Sequence, residues 1–292
     1  MHVRVNGVRL FFDVEGPKFI PDGKQMRERP TLILLHGGPG FDHTSYKPEF
    51  TRLAEVAQVV YLDHRGQGRS DKGEPADWTL DQWADDVRGF CEALEIEKPI
   101  VMGNSFGGMV AMVYAARHPE HPGKLIFSST SAQQNVERIV SRFEERGGVE
   151  VAALARAFWE KPCVETLGPY AKSAFPVYTR SGNLGDPDSS ARTIWAMDVL
   201  FHFAAGENAS MNLLPGLARV ACPTLLLAGD LDPVCPIEDA LEIAKAVPEQ
   251  HLRFERFEDC GHGVFRDDPE RGFGVIREFI LEGEGRGAGG PA

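Results

Sequence analysis

Ser105, Asp232 and His262 are the side chains on which a reaction could be built. Ser105 is the centre of Gly103-Asn-Ser-Phe-Gly107, a G-x-S-x-G spacing in which small residues let strand and helix approach while the serine takes a strained backbone and projects its hydroxyl. A serine hydroxyl is a poor nucleophile near neutral pH. It needs a base within hydrogen-bond reach and a carboxylate that holds the base in one tautomer. Asp232 follows an apolar run ending at Gly229, and His262 follows the last strand-like run, so both fall on loops at the edge where Ser105 sits, in the order Ser, Asp, His. That arrangement points to acyl transfer: Ser105 attacks a carbonyl, His262 moves the proton and Asp232 orients the imidazole. Activity is then expected to fall as the imidazole protonates, because imidazolium cannot accept the serine proton. Asp230 is a rival acid whose place nearer the strand end suits bracing of the turn, and Asp259, on the loop of His262, suits solvent.

Acyl transfer also needs donors for the developing oxyanion, worth roughly 3 kcal/mol each in the transition state. One is expected from the backbone N–H of Phe106, at a helix N-terminus directly after Ser105. The second is assigned to Gly38, in His36-Gly-Gly-Pro-Gly40, where missing side chains let the backbone come close. His36 itself reads as a histidine that braces this loop.

These residues need a scaffold that delivers them to one edge. Val3–Val5 and Val8–Phe12 flank Asn6-Gly7 and predict a hairpin; residues 16–30 read as a loop. Strands are expected at Thr31–Leu35, Val59–Leu62, Ile100–Met102, Lys124–Phe127, Cys222–Gly229 and His251–Phe257. Helices are expected within Tyr46–Ala57, from Thr79 or Asp81 to Leu94, and over Gly107–Ala116, Ile237–Val247 and Pro269–Leu281. Repeated strand–helix units imply a parallel sheet covered on both faces. The rhythm breaks over residues 131–215, where helical stretches at Gln134–Arg146, Val149–Glu160 and Ala191–Ala205 have no strand between them. This segment reads as a helical cap inserted into a core of residues 1–130 and 216–282, placed where ligands bind in open α/β sheets. Gly283–Ala292 is a Gly-rich tail, read as disordered.

Composition excludes several partners. The chain has 292 residues with 42% hydrophobic and 25% charged, enough for a large core, and a net charge of −12 that repels phosphate backbones and anionic membranes. Nucleic acid and membrane partners are therefore not expected. Five scattered cysteines (Cys91, Cys163, Cys222, Cys235, Cys260) lack C-x-x-C spacing, which argues against a disulfide framework and a zinc site and suits a reducing cytoplasm. Cys260, close to His262, is either a site for thiol reagents or a buried inert thiol. No cofactor is expected, and the partner is a small molecule or short peptide.

Over nearly its whole length the chain resembles α/β-hydrolase-fold proteins. Within them, His36-Gly-Gly-Pro-Gly40, Asp63-His-Arg-Gly-Gln-Gly-Arg-Ser70 and Gly103-Asn-Ser-Phe-Gly-Gly108 resemble proline iminopeptidases, which release an N-terminal proline. The resemblance implies a mostly parallel sheet of about eight strands flanked by helices, with Ser105, Asp232 and His262 as triad and Gly38 and Phe106 as oxyanion donors. Asp63 and Arg65 would tie loops together. The implied activity is hydrolysis of a small amide or ester through an acyl-enzyme, most simply a proline iminopeptidase-like aminopeptidase. A carboxylesterase or lactonase is the alternative, and a non-catalytic ligand-binding protein the lesser one. Iminopeptidases bind the substrate amine with cap glutamates and commonly carry Trp after the nucleophile, where this chain has Phe106. The insertion offers Glu144, Glu145, Glu150, Glu160, Glu165 and Glu207, each readable as a surface charge. A buried acidic pair facing the site would mark amine recognition; an apolar lining from Phe158, Trp159, Trp195, Phe201 or Phe203 would mark an ester.

Overall fold

The computed structural model describes residues 1–182 and 186–283, which leaves the Gly-rich tail beyond Gly283 outside the described residues. The strands are β1 (His2–Val5), β2 (Val8–Glu15), β3 (Phe19–Asp22), β4 (Gln25–Glu28), β5 (Thr31–Leu35), β6 (Gln58–Leu62), β7 (Ile100–Asn104), β8 (Lys124–Ser128), β9 (Thr224–Gly229) and β10 (Leu252–Phe257). Eight of them form one sheet in the order β1-β2-β6-β5-β7-β8-β9-β10. The pairs from β6 to β10 are parallel, and β1 and β2 add an antiparallel edge. Asn6 and Gly7 turn the β1–β2 hairpin with φ of 46° and 85°, the left-handed values that a two-residue turn requires.

The helices are α1 (Leu80–Ala93), α2 (Phe106–Arg117), α3 (Val136–Glu160), α4 (Val164–Ala174), α5 (Ser189–Arg192), α6 (Met197–Ala205), α7 (Leu214–Leu217), α8 (Ile237–Ala246), α9 (Val264–Asp267) and α10 (Pro269–Leu281). Alternation along the buried strands sorts the core into two layers. Ile33 and Leu35 pack with Val87, Phe90, Val110 and Ile243 under α1, α2 and α8. Leu32 and Leu34 pack with Phe50, Phe273 and Ile276 on the face carrying α10. Thr79 caps α1 by accepting the Gln82 N–H, as an N-cap threonine does.

Several elements depart from the sequence reading. Residues 16–30 contain the small hairpin β3–β4, whose side chains are mostly exposed and so lack the apolar alternation that signals a strand. The segment expected as a helix within Tyr46–Ala57 forms 3-10 turns at His43–Tyr46 and Glu49–Glu55, with Pro48 between them. The stretches expected at Gln134–Arg146 and Val149–Glu160 meet in α3 across a kink at Gly148, φ 82°. Helix α4 was not anticipated, since Gly168 and Pro169 lie inside it and both disfavour helix. The helix expected over Ala191–Ala205 is interrupted before α6, where the Ile194 N–H donates to Asp42 Oδ2 and the Ala196 N–H to the Gly40 carbonyl. Between β8 and β9 the described residues hold helices, with an apolar cluster of Ile139, Phe143, Phe158 and Tyr170 that reaches Val234 and Cys235 beyond β9. Among the described residues no helix is long and apolar enough to cross a membrane.

Arg65 ties the hairpin to α1. Its guanidinium donates two bonds of 2.8 Å to the Asp86 carboxylate and one of 3.0 Å to the Asn6 carbonyl, with both side chains buried. Arg65→Met is expected to cost roughly 3–5 kcal/mol by leaving Asp86 unpaired, and the double change Arg65→Met with Asp86→Leu to recover much of that. Chemical denaturation of the two variants measures the difference.

Candidate active site

Ser105 stands between β7 and α2 with φ 55° and ψ −121°, a conformation that costs a non-glycine residue about 1–3 kcal/mol. The surroundings impose it. A Cβ at Gly103 would lie 2.0 Å from the Gly107 carbonyl oxygen, and one at Gly107 would lie 1.9 Å from that of Leu35. The turn is therefore closed to any side chain at either glycine. The Ser105 N–H donates to the Ser128 carbonyl at 2.9 Å, and Thr130 Oγ1 donates to the Ser105 carbonyl at 2.8 Å. Ser105 lines a cavity that His262 also lines.

Asp232 follows β9 and is fully buried. Its Oδ1 accepts the N–H groups of Val234 and Cys235, both at 2.9 Å, and its Oδ2 accepts from His262 Nδ1 at 2.8 Å. A proton held on Nδ1 leaves Nε2 as the acceptor. The backbone of the histidine loop is itself tethered, the His262 N–H to the Tyr178 carbonyl at 2.7 Å and the Gly263 N–H to Ser129 Oγ at 2.8 Å. Thus Ser105, Asp232 and His262, separated by 127 and then 30 positions along the chain, follow the carboxyl ends of β7, β9 and β10, where ligands bind in such sheets. Asp230 instead binds the Arg256 guanidinium through both oxygens, and Asp259 is exposed.

The His36–Gly40 loop passes beside Ser105: a Cβ at Gly37 would sit 3.3 Å from the Ser105 Cβ. Gly38 and Phe106 both line the cavity, and Phe106, as the first residue of α2, has no intrahelical acceptor for its N–H. His36 braces the loop, its Nε2 accepting the His64 N–H at 3.3 Å. Asp63 accepts from His43 Nδ1 at 2.7 Å and from the Arg69 N–H at 2.9 Å. Burial pushes its carboxyl up, yet the His43 bond and the field of His36 hold it below the ordinary aspartate range. Asp63 and Arg65 thus serve other loops and stay off the cavity wall.

The cavity, about 240 Å³, is walled by aromatic groups: Phe158, Trp159, Tyr170, Trp195 and Phe203 line it, whereas Phe201 does not. No aspartate or glutamate among the described residues is part of the lining. Of the seven glutamates in the insertion, Glu137 and Glu160 pair with Arg156 and Glu145 with Arg142, Glu207 accepts the Leu80 N–H at 2.8 Å, and Glu144, Glu150 and Glu165 are exposed. Asp232, Cys235 and His262 place one possible metal ligand each within 4.8 Å. Both Asp232 oxygens are already hydrogen-bonded, and burial drives the Cys235 thiol well above its ordinary range, so the sulfur stays protonated and is a poor ligand. Cys260 is buried too, its thiol pushed up to about 11, the inert alternative of the two open from sequence. The supporting residues Tyr178, Ser129 and Arg266 carry no local sequence signal; only their contacts reveal them.

The description "alpha/beta hydrolase fold" fits a family model matching residues 30–158. A solved proline iminopeptidase of Mycobacterium smegmatis superposes with a TM-score of 0.76 at 22% identity, covering 96% of this chain and 97% of that one. An esterase of Exiguobacterium antarcticum superposes with a TM-score of 0.68 at 20% identity, over 96% and 98%. The chain has the α/β-hydrolase fold. Within it the likeness is to proline iminopeptidases: PfmaB of Pestalotiopsis fici, a proline iminopeptidase, is 25% identical over 280 residues, 90% of this chain and 92% of that protein.

Proposed function

We propose that this chain is a cofactor-independent serine hydrolase of small carboxylic esters or lactones. His262 Nε2 takes the Ser105 proton as Oγ attacks the carbonyl carbon, and Asp232 holds the imidazole and balances its charge. The N–H groups of Phe106 and Gly38 receive the oxyanion. The proton then passes to the departing alcohol, and water releases the acid by the reverse sequence. Residues 131–215 act as the cap that supplies the aromatic wall and keeps bulk water from the acyl-enzyme.

The observation that carries the ester reading is the cavity wall around Ser105, aromatic and without a carboxylate. A substrate ammonium would lose its hydration there and gain no counter-ion, a cost of several kcal/mol. The second reading, release of an N-terminal proline, is favoured by the likeness to iminopeptidases and by aromatic rings suited to an apolar pyrrolidine.

Hydrolysis of p-nitrophenyl butyrate beside prolyl-p-nitroanilide separates the two. Turnover of the ester without the anilide is the expected result. Faster cleavage of the anilide would replace the ester reading with the iminopeptidase.

A further inference from the structure

The wall of the cavity carries one charge that the hydrolytic reading does not use. Arg266, on α9 four residues after His262, lines the cavity and is the only lysine or arginine among the described residues that does. Its backbone N–H bonds the Gly263 carbonyl, but its guanidinium makes no hydrogen bond and no ion pair within 4 Å among the described residues. Its Cζ lies over the Phe265 ring, 5.7 Å from the centroid. Other partly or fully buried arginines are engaged: Arg65 with Asp86, Arg138 with Asp239 and Glu242, Arg142 with Glu145 and Glu238, and Arg146 with the Val177 and Thr179 carbonyls.

The acids that act on Arg266 do so from a distance or are committed elsewhere. Asp232 is held by His262 and two backbone N–H groups, Asp267 by the N–H groups of Gly261, Arg180 and Ser181, and Glu49 acts only through its field. Burial lowers the guanidinium below its ordinary range, yet arginine remains charged in proteins. A partly buried cation without a counter-ion is costly, and a guanidinium matches a carboxylate through two parallel N–H bonds. Hydroxyls also line the cavity at Ser45, Ser189, Ser190 and Thr193.

We propose that Arg266 receives a carboxylate of the substrate, so that the preferred esters are half-esters of dicarboxylic acids, cleaved by water to the dicarboxylate and an alcohol. This deepens the ester reading and rests on it. The same cation explains how a chain of net charge −12 could draw in an anion: the attraction is local and acts inside the cavity, where screening is weak.

The test uses two substrates that differ in charge alone, monoethyl glutarate and the ethyl ester of glutaramic acid, followed by pH-stat. The wild type should favour the anion in kcat/KM by roughly tenfold or more, the scale of a charge-assisted bidentate pair. Arg266→Gln should bring that ratio close to one, and Arg266→Lys should keep part of it. A wild-type ratio of one or less, or a ratio unchanged in Arg266→Gln, overturns the proposal. Should Arg266→Gln not fold, inhibition of wild-type p-nitrophenyl butyrate turnover decides: glutarate should inhibit at lower concentration than glutaramate, and equal inhibition overturns the assignment. If no ester is turned over at all, the ester reading fails. Calorimetry of glutarate against glutaramate on Ser105→Ala then tests the carboxylate site separately, with equal binding, or none, counting against it.

Discussion

Ser105→Ala is expected to lower ester turnover by roughly 10⁵–10⁶-fold, the scale seen when the nucleophile of a serine hydrolase is removed. The variant should stay folded. The backbone bonds that hold the turn, Ser105 N–H to the Ser128 carbonyl and Thr130 Oγ1 to the Ser105 carbonyl, do not involve the serine hydroxyl, and alanine meets the same φ of 55° with the same single Cβ. Labelling by a fluorophosphonate should vanish with the hydroxyl, which separates a lost nucleophile from a collapsed fold. Retained labelling in Ser105→Ala would move the nucleophile elsewhere, and an unlabelled wild type would favour a ligand-binding protein on this scaffold.

Asp232→Asn is expected to lower turnover by about 10⁴-fold with little change in melting temperature. The asparagine Oδ1 can still accept the Val234 and Cys235 N–H groups, as Asp232 does at 2.9 Å. Its amide, however, would donate toward His262 Nδ1, where the carboxylate now accepts at 2.8 Å, and the imidazole would turn its proton toward Ser105. The base is then lost with the geometry intact. Asp230→Asn is the matched control, since its carboxylate sits on Arg256 and outside the cavity wall. Its turnover should stay within about threefold of wild type, as for a surface ion pair. A large loss in Asp230→Asn with none in Asp232→Asn would reverse the assignment.

How much of this was legible in the residues follows from how local each signal is. The buried strands showed plainly, because a strand covered on both faces is a continuous apolar run: Thr31–Leu35 is a strand over the very residues that the run spans. The elbow showed because its G-x-S-x-G spacing is contained in five residues, although the atom that closes Gly107 to a side chain is the distant Leu35 carbonyl. Asp232 and His262 were found by order along the chain, and their hydrogen bond brings together loops 30 positions apart. The exposed β3–β4 hairpin was missed because nothing apolar marks its faces. The helix expected across Ala191–Ala205 was overruled by Asp42 and Gly40, partners some 150 residues upstream that no local window contains. Arg266 escaped notice for a related reason. Its meaning lies in the lack, among the described residues, of a carboxylate that pairs with it, since Asp232 and Asp267 are held by other groups, and such a lack has no signature in sequence.

The bond from the His262 N–H to the Tyr178 carbonyl has a consequence for remodelling the protein. The aromatic wall invites exchange of the helices between β8 and β9 for those of another protein, as though selectivity were a detachable module. It is not detachable along this edge. Tyr178 also covers His262 with its ring, 5.5 Å away at 77°, and a Cβ at Gly261 would fall 2.1 Å from the same carbonyl. A transplanted segment must bring a main-chain oxygen to that point, or it will change the cavity wall and unseat His262 together. Grafts that keep residues 175–181 and replace what precedes them are the ones in which chemistry and selectivity can be varied apart.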